Sequence, residues 1–161
     1  MLFRSALSLS VKNFMGIASN ERHGGYPYRK DLHFAGLEQS FLDIVAAVKP
    51  HLAIIDGSVC CEGNAPVVAP EAGRGRTVDM KERLGSWLLL ASTDLVAADA
   101  TAARIISHDP AGITQLRMAY ERGMGEIRED HIDLEGGELD RLRVDWLPAE
   151  LRAPRQQGAA G

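Results

Sequence analysis

Two apolar runs that each stop at an acid constrain the fold of this chain most. The first, His51 to Ile55, ends at Asp56-Gly57-Ser58 and opens into a loop carrying Glu62, Gly63, Asn64 and Pro66. The second, Trp87-Leu88-Leu89-Leu90-Ala91, ends at Ser92-Thr93-Asp94. Apolar runs this short, bounded by turn residues, read as strands. The second is continuous in apolar character and suits a central strand covered on both faces. Strands that end in carboxylates and are followed by helices or long connections present those acids to a ligand, in the manner of α/β proteins.

The intervening periodicity agrees. Leu37, Phe41, Leu42, Ile44, Val45 and Val48 recur at helical spacing until Pro50 forbids continuation. A second helix follows Ser92 or Thr93, with Asp94 in its first turn and a narrow apolar face of Val96, Ala97, Ala100, Ala103 and Ile106. Asp109-Pro110 starts a third helix and Gly123 closes it. At the amino terminus Phe3, Ser5, Leu7, Leu9 and Val11 alternate with smaller or polar residues, which reads as a strand delivering Lys12 and Asn13. The segment from Ala18 to Gly36 and the one from Gly57 to about Gly85 are rich in glycine, proline and charge and read as irregular. His131 to Val144 alternates on either side of Gly136-Gly137, a hairpin signal. The expected fold class is therefore α/β, a mostly parallel or mixed sheet with flanking helices and a C-terminal β-hairpin. With 161 residues, 45% of them apolar, the chain suffices for one core. A single domain over 1–147 and a disordered tail over 148–161 are expected.

Charge and cysteine usage restrict the partners. A net charge of -4 provides no broad basic surface for a phosphate backbone, so no nucleic acid is expected. No run approaches the roughly 18 apolar residues of a membrane span. Cys60 and Cys61 are adjacent, which rules out a long disulfide loop between them, and no Cys-x-x-Cys spacing exists for zinc or an iron–sulfur cluster. They read as small apolar residues at a loop root or as a reactive thiol. A reducing, cytoplasmic location is expected.

If the first three strands are parallel neighbours, Lys12, Asp56 and Asp94 converge with Glu62 and Asn64 on one rim. Clustered carboxylates need a cation, a shared proton or a nearby amine. Lys12, Asp56, Glu62 and Asp94 are thus candidate catalytic residues, Asn13, His33 and Asn64 candidate substrate contacts, and Asp56, Glu62 and Asp94 candidate ligands of a divalent cation. Each has a plainer role available. Asp56 before Gly57 can form an Asx turn, Asp94 can cap its helix, and Lys12 can be solvated at a turn. Asp99, five residues beyond Asp94, is a solvated helical residue or a buried site acid. His23 and His33 fit no compact metal spacing, and Arg74-Gly75-Arg76 reads as a solvated loop.

Val11-Lys12-Asn13-Phe14-Met15-Gly16-Ile17, His33, Ile54-Ile55-Asp56-Gly57, Glu62-Gly63-Asn64-Ala65-Pro66 and Ala91-Ser92-Thr93-Asp94-Leu95-Val96-Ala97-Ala98-Asp99-Ala100 together resemble the uncharacterised domain-of-unknown-function family three-six-two, over roughly Leu7 to Gly137. The resemblance implies a domain often found beside ferredoxin-type iron–sulfur modules. This chain lacks a cysteine set, so no cluster is expected in it. Relatives carry a substantial segment before the Lys-Asn motif, which here lies near the start, so only the carboxyl-terminal portion of the family domain is expected. Two functional classes follow. One is an enzyme domain of unknown reaction whose carboxylate and lysine site takes a divalent cation or an anionic small molecule. The other is a non-catalytic binding or assembly module that associates, as a homo- or hetero-oligomer, with a redox partner or a missing amino-terminal half.

Overall fold

Helix formation follows the apolar spacing where that spacing is strongest. The computed structural model describes residues 7–24, 31–32, 35–63 and 75–148. Leu37–Val48 is a helix, called α2 here because a one-turn helix, α1 (Ser10–Asn13), precedes it. Leu37, Phe41, Leu42 and Val45 form the buried stripe of α2. It stops at Lys49, which takes up a left-handed conformation (φ 52°) and returns its N–H to the Val45 carbonyl. Pro50 then prevents any continuation.

Four strands follow among the described residues: β1 (Ala53–Gly57), β2 (Val59–Glu62), β3 (Arg76–Asp79) and β4 (Leu88–Ser92). They form two antiparallel pairs, β1 with β4 and β2 with β3. The chain is thus a mixed α/β fold, as expected. Its described strands are antiparallel, which corrects the expectation of a mostly parallel sheet. β4 returns after the β2–β3 ribbon and the short helix α3 (Met80–Leu84). That excursion reverses the chain instead of crossing it over one face. The region from Gly57 to Gly85, expected to be irregular, therefore contains β2, β3 and α3.

β1 alternates in burial, with Ala53, Ile55 and Gly57 inward and Ile54 and Asp56 outward. β4 is not covered on both faces, since Leu89 is 69% exposed and Ala91 is exposed as well. Its apolar run reflects an open outer face and not central burial.

Helix α4 (Leu95–Ile105) lies under the sheet and is the most buried element. Its alanines let β4 and the neighbouring helices approach closely, so Leu95 to Ala103 are all buried and the narrow apolar stripe becomes burial all round. Pro110–Gly112 forms a 3-10 turn capped by Asp109, and α5 (Thr114–Glu121) follows and ends near Gly123 (φ 66°), as read from the sequence. One core joins Val11, Phe41, Leu42, Ile55, Val96, Leu116 and Ile127. A smaller one gathers Val78, Met80, Ile105 and Val144.

Two further expectations are corrected. The amino-terminal alternation does not form a strand over its described part. Leu7 and Val11 are both buried, four residues apart, which suits one helical turn as well as a strand. Residues 3–6 of that alternation lie outside the described residues. The C-terminal hairpin is replaced by a 3-10 turn at Glu129–His131 and the helix α6 (Leu139–Leu142). Leu139 and Leu142, three apart, pack on the smaller core, and Arg141 pairs with Glu138 along the same turn. Of the expected tail, residues 149–161 lie outside the described residues. No described helix is long and apolar enough to cross a membrane.

Candidate functional site

Antiparallel pairing separates the acids that a parallel sheet would have gathered. Ala53 pairs with Ser92 and Gly57 with Leu88. The ends of β1 and β4 that lead to Asp56 and Asp94 therefore lie at opposite ends of the ribbon. Asp94 caps α4, its Oδ1 accepting the N–H groups of Val96 at 2.8 Å and Ala97 at 2.9 Å. Its Oδ2 accepts the Glu126 N–H at 2.9 Å. Both oxygens are thus engaged by backbone, the plainer of the two roles open to this residue.

Glu62 is likewise engaged elsewhere. Its carboxylate is 1% exposed and receives the Arg76 guanidinium, Arg83 Nη2 at 3.3 Å and the Leu147 N–H at 3.1 Å. Loss of hydration pushes its pKa up, but the bonds from Arg76 and Leu147 and the charges of Arg76 and Arg83 hold it below the usual glutamate value. Asp56, Glu62 and Asp94 are not brought to one rim. Among the described residues no group of three histidine, cysteine or acidic side chains converges as a metal site would require. His33 and Asn64 lie outside the described residues.

Three of the candidates do meet. Lys12 and Asn13, on α1, and Asp56, on the outer face of β1, line one groove of about 480 Å³ with Ser8, Gly16 and Ile54. That volume suits a small metabolite. Lys12 Nζ donates to Ser8 Oγ at 2.8 Å. Partial burial lowers the Lys12 pKa, and the charge of Glu38 opposes the shift. Asp56 accepts the Ser58 N–H at 2.9 Å in an Asx turn, and the Ser58 bonds keep its carboxyl below the ordinary aspartate value. The turn occupies one carboxylate oxygen and leaves the residue exposed at the groove. The groove therefore presents an amine, an amide, hydroxyls and a carboxylate over an apolar floor.

The segment carrying Lys12 is held from below by two residues not chosen as site candidates. Asp99, fully buried on α4, accepts the N–H of Ser10 on Oδ1 at 2.9 Å and that of Val11 on Oδ2 at 3.0 Å. Gln115, buried on α5, donates its amide to the Leu7 carbonyl at 2.7 Å. Asp99 was legible in part, as an acid set among Val96, Ala97, Ala98, Ala100, Ala102 and Ala103. A surrounding of that kind favours the buried choice over the solvated one. Gln115 carries no comparable signal.

A family model described as a domain of unknown function (DUF362) matches residues 4–104, more than half of the chain. The chain belongs to this family. The match runs from before α1 to one residue short of the end of α4 and includes Lys12, Asn13, Asp56 and Asp99. It ends short of Gly137, where the resemblance was expected to reach. It lies on the amino-terminal side of the chain, so the expectation of a carboxyl-terminal portion only is not borne out. No curated protein and no solved structure matches the chain.

Proposed function

We propose that this DUF362 chain is a small-molecule-binding α/β domain whose ligand carries an anionic group. Lys12 and Asn13 receive the anion, and Asp56 meets a hydroxyl or amine of the same molecule. The observation that carries this reading is the common groove of Lys12, Asn13 and Asp56. A divalent cation is the weaker choice, because Glu62 and Asp94 are engaged elsewhere and leave Asp56 as the carboxylate of the groove. If the domain is an enzyme, Lys12 is its candidate catalytic amine, since a lowered pKa leaves more of the neutral form for proton transfer or attack on a carbonyl.

Thermal unfolding with inorganic phosphate, pyrophosphate and citrate tests the reading. An anion present at ten times its Kd stabilises by roughly 1.4 kcal/mol, a rise of about 3–5 °C for a domain of this size. Lys12→Met is expected to abolish the rise. Equal shifts in wild type and variant, or none with any anion, would contradict it.

A second reading, the binding or assembly module, has its own support. Ile54 and Leu89 on the outer face of the β1–β4 ribbon are 63% and 69% exposed, and neighbouring Trp87 is 64% exposed. Contiguous exposed apolar side chains mark interaction surfaces. Here a second copy of the chain is the occupant to test. Sedimentation should then show a concentration-dependent dimer that Leu89→Asp dissociates; a monomer at every concentration would remove self-association.

A further inference from the structure

We propose that Asp99 is the positioning residue of the Lys12–Asn13–Asp56 groove, setting the turn that presents Lys12 and Asn13, with Gln115 fixing its start. This inference rests on the small-molecule reading for its purpose but not for its geometry.

Three bonds carry it. Ser10 and Val11 each give a backbone N–H to one Asp99 oxygen, and Leu7 receives the Gln115 amide. Of the anchored residues, Ser10 itself lines the groove, while Leu7 adjoins Ser8 and Val11 adjoins Lys12. The anchors lie on α4 and α5, inside the core, while the groups they position face outward. A shift of the Ser10–Val11 amides therefore moves Lys12 and Asn13 with them.

Asp99 is also an unfavourable way to cap a single helical turn. Burial pushes its carboxyl up to about 6, against the bonds from Val11 and Ser10. The native fold thus holds the Asp99 proton more tightly than the unfolded chain does, so ionising Asp99 works against stability as pH rises from about 4 to about 6. An ionised carboxylate provides what an asparagine cannot, one full acceptor for each of two N–H groups. The elements packed on α4 bring other charges: Asp56 on β1, Arg117 and Glu121 on α5, and Asp140 and Arg141 on α6, all exposed. α1 brings Lys12, whose amine bonds Ser8. Among the described residues no ion pair reaches Asp99, so the α1 amides and the Ser10 side chain are its partners.

The test is a pH titration by NMR of the labelled chain, wild type and Asp99→Asn, followed by addition of inorganic phosphate at neutral pH. Ser10 and Val11 amides should titrate together with a midpoint near 6. The Lys12 side-chain methylenes and the Asn13 amide should shift with the same midpoint, and Asp99→Asn should remove this step from all four. Wild type should also lose stability relative to Asp99→Asn over the same interval. If Ser10 and Val11 titrate while Lys12 and Asn13 do not, Asp99 is a local cap and the proposal falls. It also falls if the two amides show no step, a result wild type provides even if the variant does not fold. A groove silent to phosphate, and to pyrophosphate and citrate added in its place, in which Lys12 and Asn13 still follow Asp99 would overturn the small-molecule reading and leave the positioning role standing.

Discussion

Gly125→Ala is expected to destabilise the fold by about 3 kcal/mol, combining overpacking with loss of a helix cap. A methyl group on residue 125 would lie 2.7 Å from Val96 Cβ and 2.8 Å from Asp94 Cγ, well inside contact distance. Neither neighbour can yield cheaply. Val96 is 1% exposed in the main core, and the Asp94 carboxylate is held by the N–H groups of Val96, Ala97 and Glu126. Asp94→Ala leaves those donors without their acceptor and is expected to cost about 2 kcal/mol. The two effects should not add. Once the Asp94 carboxylate is gone, two of the three atoms nearest the residue 125 methyl go with it, so the double variant should be more stable than the sum of the single losses implies. Urea denaturation of the four proteins measures this. Strict additivity would show that Asp94 does not connect the Gly125–Glu126 turn to α4.

Glu62→Ala is the second large loss, expected at about 2 kcal/mol. The carboxylate is buried and joins β2 to β3 through Arg76, to α3 through Arg83 and to the C-terminal segment through the Leu147 N–H. The magnitude is held down because Arg76 is 67% exposed and recovers water when its partner is removed. Segment release should exceed the stability loss as a signal. Gly63 gives its N–H to the Leu147 carbonyl at 2.8 Å, and Arg83 bonds the Asp145 carbonyl at 2.7 Å. Hydrogen exchange at Gly63 and Leu147 should therefore accelerate more than at β1. Glu62→Gln retains an acceptor for Leu147 and should exchange closer to wild type. The folded Glu62 pKa lies below its unfolded value of 4.5, so this contribution is full above that pH and is lost as pH falls through the folded value. Uniform exchange across the chain in Glu62→Ala would contradict the strap.

Helix α2 was legible because its stripe is unambiguous, with Leu37, Phe41, Leu42 and Val45 on one face and Pro50 beyond the end. The Gly123 stop was legible too, whereas the Asp109-Pro110 signal marks a 3-10 turn and α5 begins only at Thr114. The locations of β1 and β4 were legible as well, whereas β2 and β3 fell in a stretch read as irregular; pairing direction was not legible for any of them, because local pattern carries no information on what a strand meets across the sheet. That omission decided the site. Parallel neighbours would have gathered Asp56 and Asp94, and antiparallel ones sent them to opposite ends. Asp94 and Glu62 then proved to hold the fold together, whereas Lys12, Asn13 and Asp56 share a groove. The Gly136-Gly137 hairpin failed because Leu139 and Leu142, three apart, share one face of a helical turn, whereas a strand would send them to opposite faces. Asp99 and Gln115 hold backbone groups about 90 to 110 residues away in sequence, contacts that no local pattern reports.

The most direct measurement is an NMR titration of the labelled chain with citrate and with inorganic phosphate, following every assigned amide and the Lys12 side chain. Saturable shifts confined to Ser8, Lys12, Asn13, Gly16, Ile54 and Asp56, lost in Lys12→Met, are expected from a groove built to take an anion. Saturable shifts centred instead on the Arg76–Arg83 surface around Glu62, with Lys12 and Asn13 unmoved, would contradict it.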